Sequence, residues 1–110
     1  MNYKDTVIIK LNDYDKIHII LTNHAKIQAE YRHISIDDII NNILEPKRLY
    51  YAGKQETDND NEEKYDCYFG YSNTQCQRYI LVLNKNCVVC TVIKVNRRWQ
   101  KEVEKRYGKL

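Results

Sequence analysis

Ser35-Ile36-Asp37-Asp38-Ile39-Ile40-Asn41-Asn42-Ile43-Leu44-Glu45-Pro46 reads as one helix with its start and stop signals in place. Ile36, Ile39, Ile40 and Ile43, with Leu44, recur at i, i+3, i+4 and i+7. That spacing is the buried stripe of an amphipathic helix. The Ser35 hydroxyl can cap the first free N–H groups, and Asp38 lies near the positive helix end. Pro46 stops the helix, because it lacks an N–H and disfavours helical backbone at Glu45.

Working outward from this helix, the period changes to two after Pro46. Arg48 to Ala52, Tyr65 to Tyr71, Arg78 to Leu83 and Val88 to Val95 are rich in Tyr, Val, Ile and Cys. Gly53, Gly70-Tyr71-Ser72-Asn73 and Asn84-Lys85-Asn86 punctuate them, so an antiparallel meander is expected. The polar stretch from Gln55 to Glu63 reads as a long mobile loop. Upstream, His24 to His33 reads as a short helix capped by Thr22-Asn23. Thr6 to Leu11 and Ile17 to Leu21 read as two strands about the turn Asn12-Asp13-Tyr14-Asp15, an N-terminal hairpin. Arg97 to Tyr107 reads as a basic helix with Trp99, Val103 and Tyr107 on one stripe. The expected fold is α+β, a single domain over residues 1–110. Two short helices pack on one face of a curved antiparallel sheet of four to six strands, flanked by the hairpin and the basic C-terminal helix.

Composition narrows the class. The 110 residues are 43% hydrophobic, 30% charged and 11% aromatic, with three Gly and one Pro, which suits a chain with one core. No apolar run approaches the ~18 residues a membrane helix needs, and no signal peptide is read at Met1 to Thr6; the expected location is cytoplasmic. The net charge of +3 is too small to identify a nucleic-acid binder. Its distribution says more. Lys94 to Lys109 carries seven basic residues against Glu102 and Glu104, whereas Glu56 to Asp66 carries six acids against Lys64.

The even cysteine count, Cys67, Cys76, Cys87 and Cys90, suggests disulfides or zinc. Cys87-x-x-Cys90 falls in a strand-like run, where i and i+3 point to opposite faces. Two thiolates so placed do not reach one metal. All four are read as small apolar side chains, with no metal and no cofactor expected.

The series His24-Ala25-x-x-Gln28-x-x-x-Arg32-x-Ile34-Ser35-x-Asp37-Asp38-Ile39, then Pro46, then Val89-Cys90-Thr91-Val92-Ile93, resembles a small, largely uncharacterised prokaryotic family. That family is related to the RelE/ParE/BrnT-type toxins of toxin–antitoxin pairs and, more widely, to the barnase–colicin–RelE ribonuclease fold. The resemblance spans Leu21 to Val95. Two features depart from it. The family usually has Gly before Ile-Ser where this chain has His33, and the hairpin and basic C-terminal segment look like additions.

The resemblance implies a metal-independent endoribonuclease that attacks the phosphate with its own substrate's 2′-OH. Such chemistry needs a proton acceptor, a proton donor and cations on the phosphate. His24 is the candidate for proton transfer, since imidazole titrates near neutrality; otherwise it fixes the helix start. Arg32, about 80° around the same helix, either holds phosphate or pins the turn into Ile34-Ser35. Arg78, Lys94, Tyr79 and Thr91 form a second group. If the last hairpin turns through Asn84-Lys85-Asn86, Tyr79 opposes Thr91, Arg78 opposes Val92, and Arg78 and Lys94 become diagonal neighbours. A slip of one residue moves Lys94 to the opposite face.

Two other readings stand beside the enzyme. In one, the chain is a non-catalytic nucleic-acid-binding module using Arg97, Arg98, Lys101, Lys105 and the base-stacking Tyr79. In the other, it is the partner of an antitoxin-like protein that adds a strand to an exposed sheet edge.

Overall fold

The computed structural model describes residues 1–70 and 75–96. The elements run α1 (Lys4–Leu11), β1 (Ile19–Leu21), α2 (Asn23–Tyr31), α3 (Ile36–Leu44), β2 (Leu49–Gln55), β3 (Glu63–Gly70), β4 (Gln75–Leu83) and β5 (Cys87–Asn96), with 3₁₀ turns at Lys16–His18 and Pro46–Arg48. The strands form one sheet in the order β1-β5-β4-β3-β2. The described residues form an α+β fold, with three α-helices and a mixed, open sheet among them. None of the described helices is long and apolar enough to cross a membrane.

α3 forms as the stripe dictates. Ile39 and Ile43 are fully buried, and the Asp38 N–H donates to the Ser35 hydroxyl at 3.4 Å. α2 starts on Thr22, whose hydroxyl accepts from the Ala25 N–H at 3.1 Å. Ala25 and Ala29, one turn apart, are both fully buried. Their small side chains let the α2 backbone lie close to β5. α2 ends in a paired cap: the Ile34 N–H donates to Ala29 O at 2.8 Å and the His33 N–H to Glu30 O at 3.2 Å. That geometry needs left-handed backbone just past the helix, and His33 supplies it at φ 54.

Two expectations are corrected. The N-terminal hairpin does not exist: Thr6 to Leu11 belongs to helix α1. Val7 and Leu11, four apart, are buried, while Ile9 between them is 69% exposed. That is a helical burial pattern, which the β-branched composition hid. The second correction follows from it. With no hairpin partner, β1 instead lies parallel to β5, pairing Ile19 with Cys87 and Leu21 with Val89, so the sheet is not wholly antiparallel. The expected helix over Arg97 to Tyr107 and the turn over residues 71–73 lie outside the described residues.

Alternate strand residues divide the sheet into two sides. Ala52, Tyr65, Cys67, Phe69, Tyr79, Leu81, Leu83, Cys87, Val89 and Val92 join Val7, Leu11, Ala25, Ala29, Ile39 and Ile43 in one core, which defines the helix side. On the opposite side Tyr51, Tyr68 and Cys76 make a second, smaller buried cluster. Both edges are blunted, as natural sheets require. At β2 the Asn2 side chain accepts from the Ala52 N–H at 3.0 Å, and the Tyr3 N–H donates to Ala52 O at 2.8 Å. At the other edge β1 is only three residues long. A strand-adding partner therefore meets little open backbone along β1 or at Ala52.

The cap at His33 makes a stability test. Left-handed backbone costs a non-glycine residue about 1 kcal/mol or more. His33→Gly should therefore raise unfolding free energy by about 1 kcal/mol in urea titrations, with the m-value unchanged. A destabilised variant would show that the His33 side chain contributes contacts outweighing its backbone strain.

Candidate functional site

The cations named from sequence are separated by one extra residue. From the turn, Leu83 faces Cys87, Val82 faces Val88 and Leu81 faces Val89. The register then slips, so that Ile80 faces Thr91, Tyr79 faces Val92, Arg78 faces Ile93 and Gln77 faces Lys94. Cys90 is the residue in excess, a β-bulge. The expected opposition of Leu83 and Cys87 holds. The expected pairings of Tyr79 with Thr91 and Arg78 with Val92 do not. Because side chains alternate along a strand, the slip turns Lys94 to the helix side while Arg78 stays on the other.

Each named residue can now be placed. His24 is exposed in the first turn of α2, and Arg32 is the half-buried C-cap of the same helix, so both belong to the helix layer. Lys94 is exposed on that side of the sheet. Arg78 and the half-buried Thr91 lie on the other side. Arg78 and Lys94 therefore lie on opposite faces of the sheet. It is Thr22, not His24, that caps the helix start.

Arg78 has a structural engagement of its own. Its Nε donates to Asp66 Oδ1 at 2.6 Å and its Nη2 to Asp66 Oδ2 at 2.7 Å. The same guanidinium lies 5.4 Å from the centre of the Tyr68 ring. A bidentate, partly buried pair stacked on an aromatic ring is a strong and geometrically fixed arrangement. It draws the guanidinium toward Asp66 rather than leaving it turned to a phosphate.

Tyr79, expected at a nucleic-acid surface, is a core residue with no exposed area. Its ring packs on Phe69, 4.8 Å between centroids. Its hydroxyl donates to Gln77 Oε1 and accepts from Asn42 Nδ2 at 2.9 Å. Burial of a tyrosine hydroxyl requires such partners, and these two amides supply them. Sequence reading missed Asn42. The signal was an amide on the flank of an otherwise apolar helix, opposite a polar residue in a strand.

The cysteines behave as small apolar groups. Cys67, Cys76 and Cys87 are buried and Cys90 is half-buried. Burial pushes the Cys87 thiol up to about 12 and the Cys67 thiol well above its usual range, so both stay protonated at neutral pH. Cys87 faces the core, while Cys90 sits at the bulge beside Lys64, on the opposite side. Among the described residues no group of three His, Cys, Asp or Glu side chains is arranged to hold a metal ion.

Clefts occur elsewhere. One, of about 330 Å³, lies between α3 and the Pro46–Arg48 turn, lined by Asp38, Asn41, Asn42, Glu45, Lys47 and Arg48. Another, of about 460 Å³, is bordered by Lys10, Tyr14, Glu63 and Asn84. There the Lys10 ammonium sits 2.7 Å from Glu63, whose carboxyl its hydrogen bond holds below the usual range.

Compared with protein-family models, curated proteins and solved structures, the chain finds no match.

Thiol accessibility tests the placement of the bulge and the two faces. In the native protein a maleimide or disulfide reagent should label Cys90 first. Cys67, Cys76 and Cys87 should react only at the rate of global unfolding. Fast labelling of Cys87 would contradict its place in the core.

Proposed function

We propose that this chain is a non-catalytic RNA-binding module that draws its affinity from the basic residues of its C-terminal segment. The observation that carries this reading is the segregation of charge. Residues 97–110 hold Arg97, Arg98, Lys101, Lys105, Arg106 and Lys109 against two acids. The other 96 residues hold twelve basic and thirteen acidic side chains. The positive charge of the molecule is thus concentrated in one short stretch that continues directly from β5. Lys and Arg gathered in this way bind a phosphate backbone by releasing its counterions.

The separation of Arg78 from Lys94 by the sheet supports binding without cutting. Transesterification needs its base and its phosphate-holding cations around one scissile bond. Here Arg78 is paired with Asp66, and Lys94 points to the other face. Antitoxin-type strand addition draws less support, because Asn2 and Tyr3 cover β2 at Ala52 and β1 is short.

Fluorescence anisotropy with a short single-stranded RNA at graded salt tests the proposal. Log affinity should fall linearly with log salt. Each Gln substitution at Arg97, Arg98, Lys101 or Lys105 should reduce that slope by about 0.7. The RNA should stay intact in EDTA. Salt-independent affinity would contradict the binding reading, and cleavage lost in His24→Ala would restore the enzyme.

A further inference from the structure

We infer that residues 97–110 dock as an amphipathic helix on the side of the sheet opposite α1, α2 and α3, with Trp99, Val103 and Tyr107 facing the cluster of Tyr51, Tyr68 and Cys76. This docking does not depend on the RNA reading, and it turns the cations which that reading uses toward solvent.

Cys76, Tyr51 and Tyr68 are 0%, 3% and 9% exposed, yet they lie on the side away from the helices. α1, α2 and α3 put their buried residues into the other core. Cys76 is the sharpest case. Its neighbour on β3 is Gly70, which has no side chain, and its neighbour on β5 is Val95. Strand neighbours of that size flank a thiol but do not roof it. Met1 shares a cleft of about 300 Å³ with Tyr51, Asp66 and Tyr68, but is itself 83% exposed and lies in loose contact at most.

The burial is also local. At the other end of the same face, where β5 begins, Val82 and Val88 are half-buried and Ile20 is 43% exposed. Cover is thus confined to the end where β5 finishes. There Gln75 faces Asn96, Val95 packs against the cluster, and the chain goes on into residues 97–110. Trp99, Val103 and Tyr107 recur every fourth residue, the spacing of an apolar helix stripe. Arg97, Lys101 and Lys105 fall about 160–240° round from Trp99, on the opposite side. The dimensions agree. Neighbouring strands are about 4.8 Å apart, so β5 to β2 is about 14 Å. At about 1.5 Å per residue, Trp99 to Tyr107 spans about 12 Å. A helix laid across the strands from the end of β5 therefore carries its stripe over Cys76, Tyr68 and Tyr51 in turn. Docking buries aromatic rings against aromatic rings and leaves the charged arc in water.

Trp99 is the sole tryptophan, so its fluorescence reports the docking in the full chain. In native buffer its emission should be blue-shifted, and acrylamide should quench it several times less effectively than in urea, at every protein concentration. Trp99→Gln, a change beyond β5, should open Cys76 to a maleimide while Cys67 and Cys87 stay protected, as read by peptide mass mapping. Protection of those two thiols shows that the variant is folded; the quenching measurement needs no variant and decides alone if it is not. Trp99 quenched as freely in buffer as in urea would overturn the inference. So would Cys76 as well protected in a folded Trp99→Gln variant as in the parent chain. Protection of Trp99 that appears only at high protein concentration would assign the cover to a second copy and overturn it too.

Discussion

Cys90, the residue that β5 holds in excess of β4, decides where every side chain beyond it points. A strand has a period of two, so one inserted residue reverses the faces of all that follow. Before Cys90 the helix side receives Cys87 and Val89; after it, Val92 and Lys94. The bulge is held from outside by α2. The Thr22 hydroxyl donates to Cys90 O at 3.4 Å, and Gln28 Oε1 accepts from the Val92 N–H at 2.9 Å. β1 has ended by this point, and its last bond to β5 is from the Thr22 N–H to Val89 O. The side chains of the helix thus replace the strand that stops, and satisfy edge groups that burial would otherwise penalise. Gln28, which the sequence pattern marks without explaining, is this substitute partner.

A second polar link fixes α3 to the same sheet. Gln77, Tyr79 and Asn42 form a buried chain in which each member depends on the next. Removing the Tyr79 hydroxyl would take a hydrogen-bond partner from both amides, at a cost of about 1–3 kcal/mol for the Gln77 amide, which is the more deeply buried. The apolar contacts of Ile39 and Ile43 stabilise the layer, and this directional chain sets where the helix sits along the strands. Asn42, whose Nδ2 this chain draws inward, also borders the α3 cleft. Core architecture and surface chemistry are joined at one amide.

How far the sequence could be read follows from which signals are local. α3 was legible because cap, stripe and stop all fall within twelve residues. The four long strands were legible because Tyr, Val, Ile and Cys cluster between turn residues. α1 was not, since Thr6-Val7-Ile8-Ile9 carries strand-type residues and only the burial of Val7 and Leu11, with the helix packed on β2, makes it a helix. The parallel partner of β1 was not, because it lies 68 residues away in the chain. The bulge was hidden too: Val88 to Val95 has no glycine or other mark at Cys90, and the slip comes from Thr22 and Gln28 on another element. The pairing expected to bring Arg78 and Lys94 onto one face failed at that step. Each residue type was suited to phosphate, and the register between them was the one quantity a single sequence does not contain.

Among the described residues Arg78 and Lys94 lie on opposite faces of an α+β sheet, and the sequence continues from β5 into a strongly basic stretch. The central claim is the register, because it separates Arg78 from Lys94 and with them the binding reading from the catalytic one. Cross-strand backbone NOEs in labelled protein measure it directly. Contacts linking Tyr79 to Val92 and Gln77 to Lys94, with Cys90 unpaired in the ladder, are the expected result. Contacts linking Tyr79 to Thr91 and Arg78 to Val92 would show a continuous ladder without the bulge, return both cations to one face, and contradict the account.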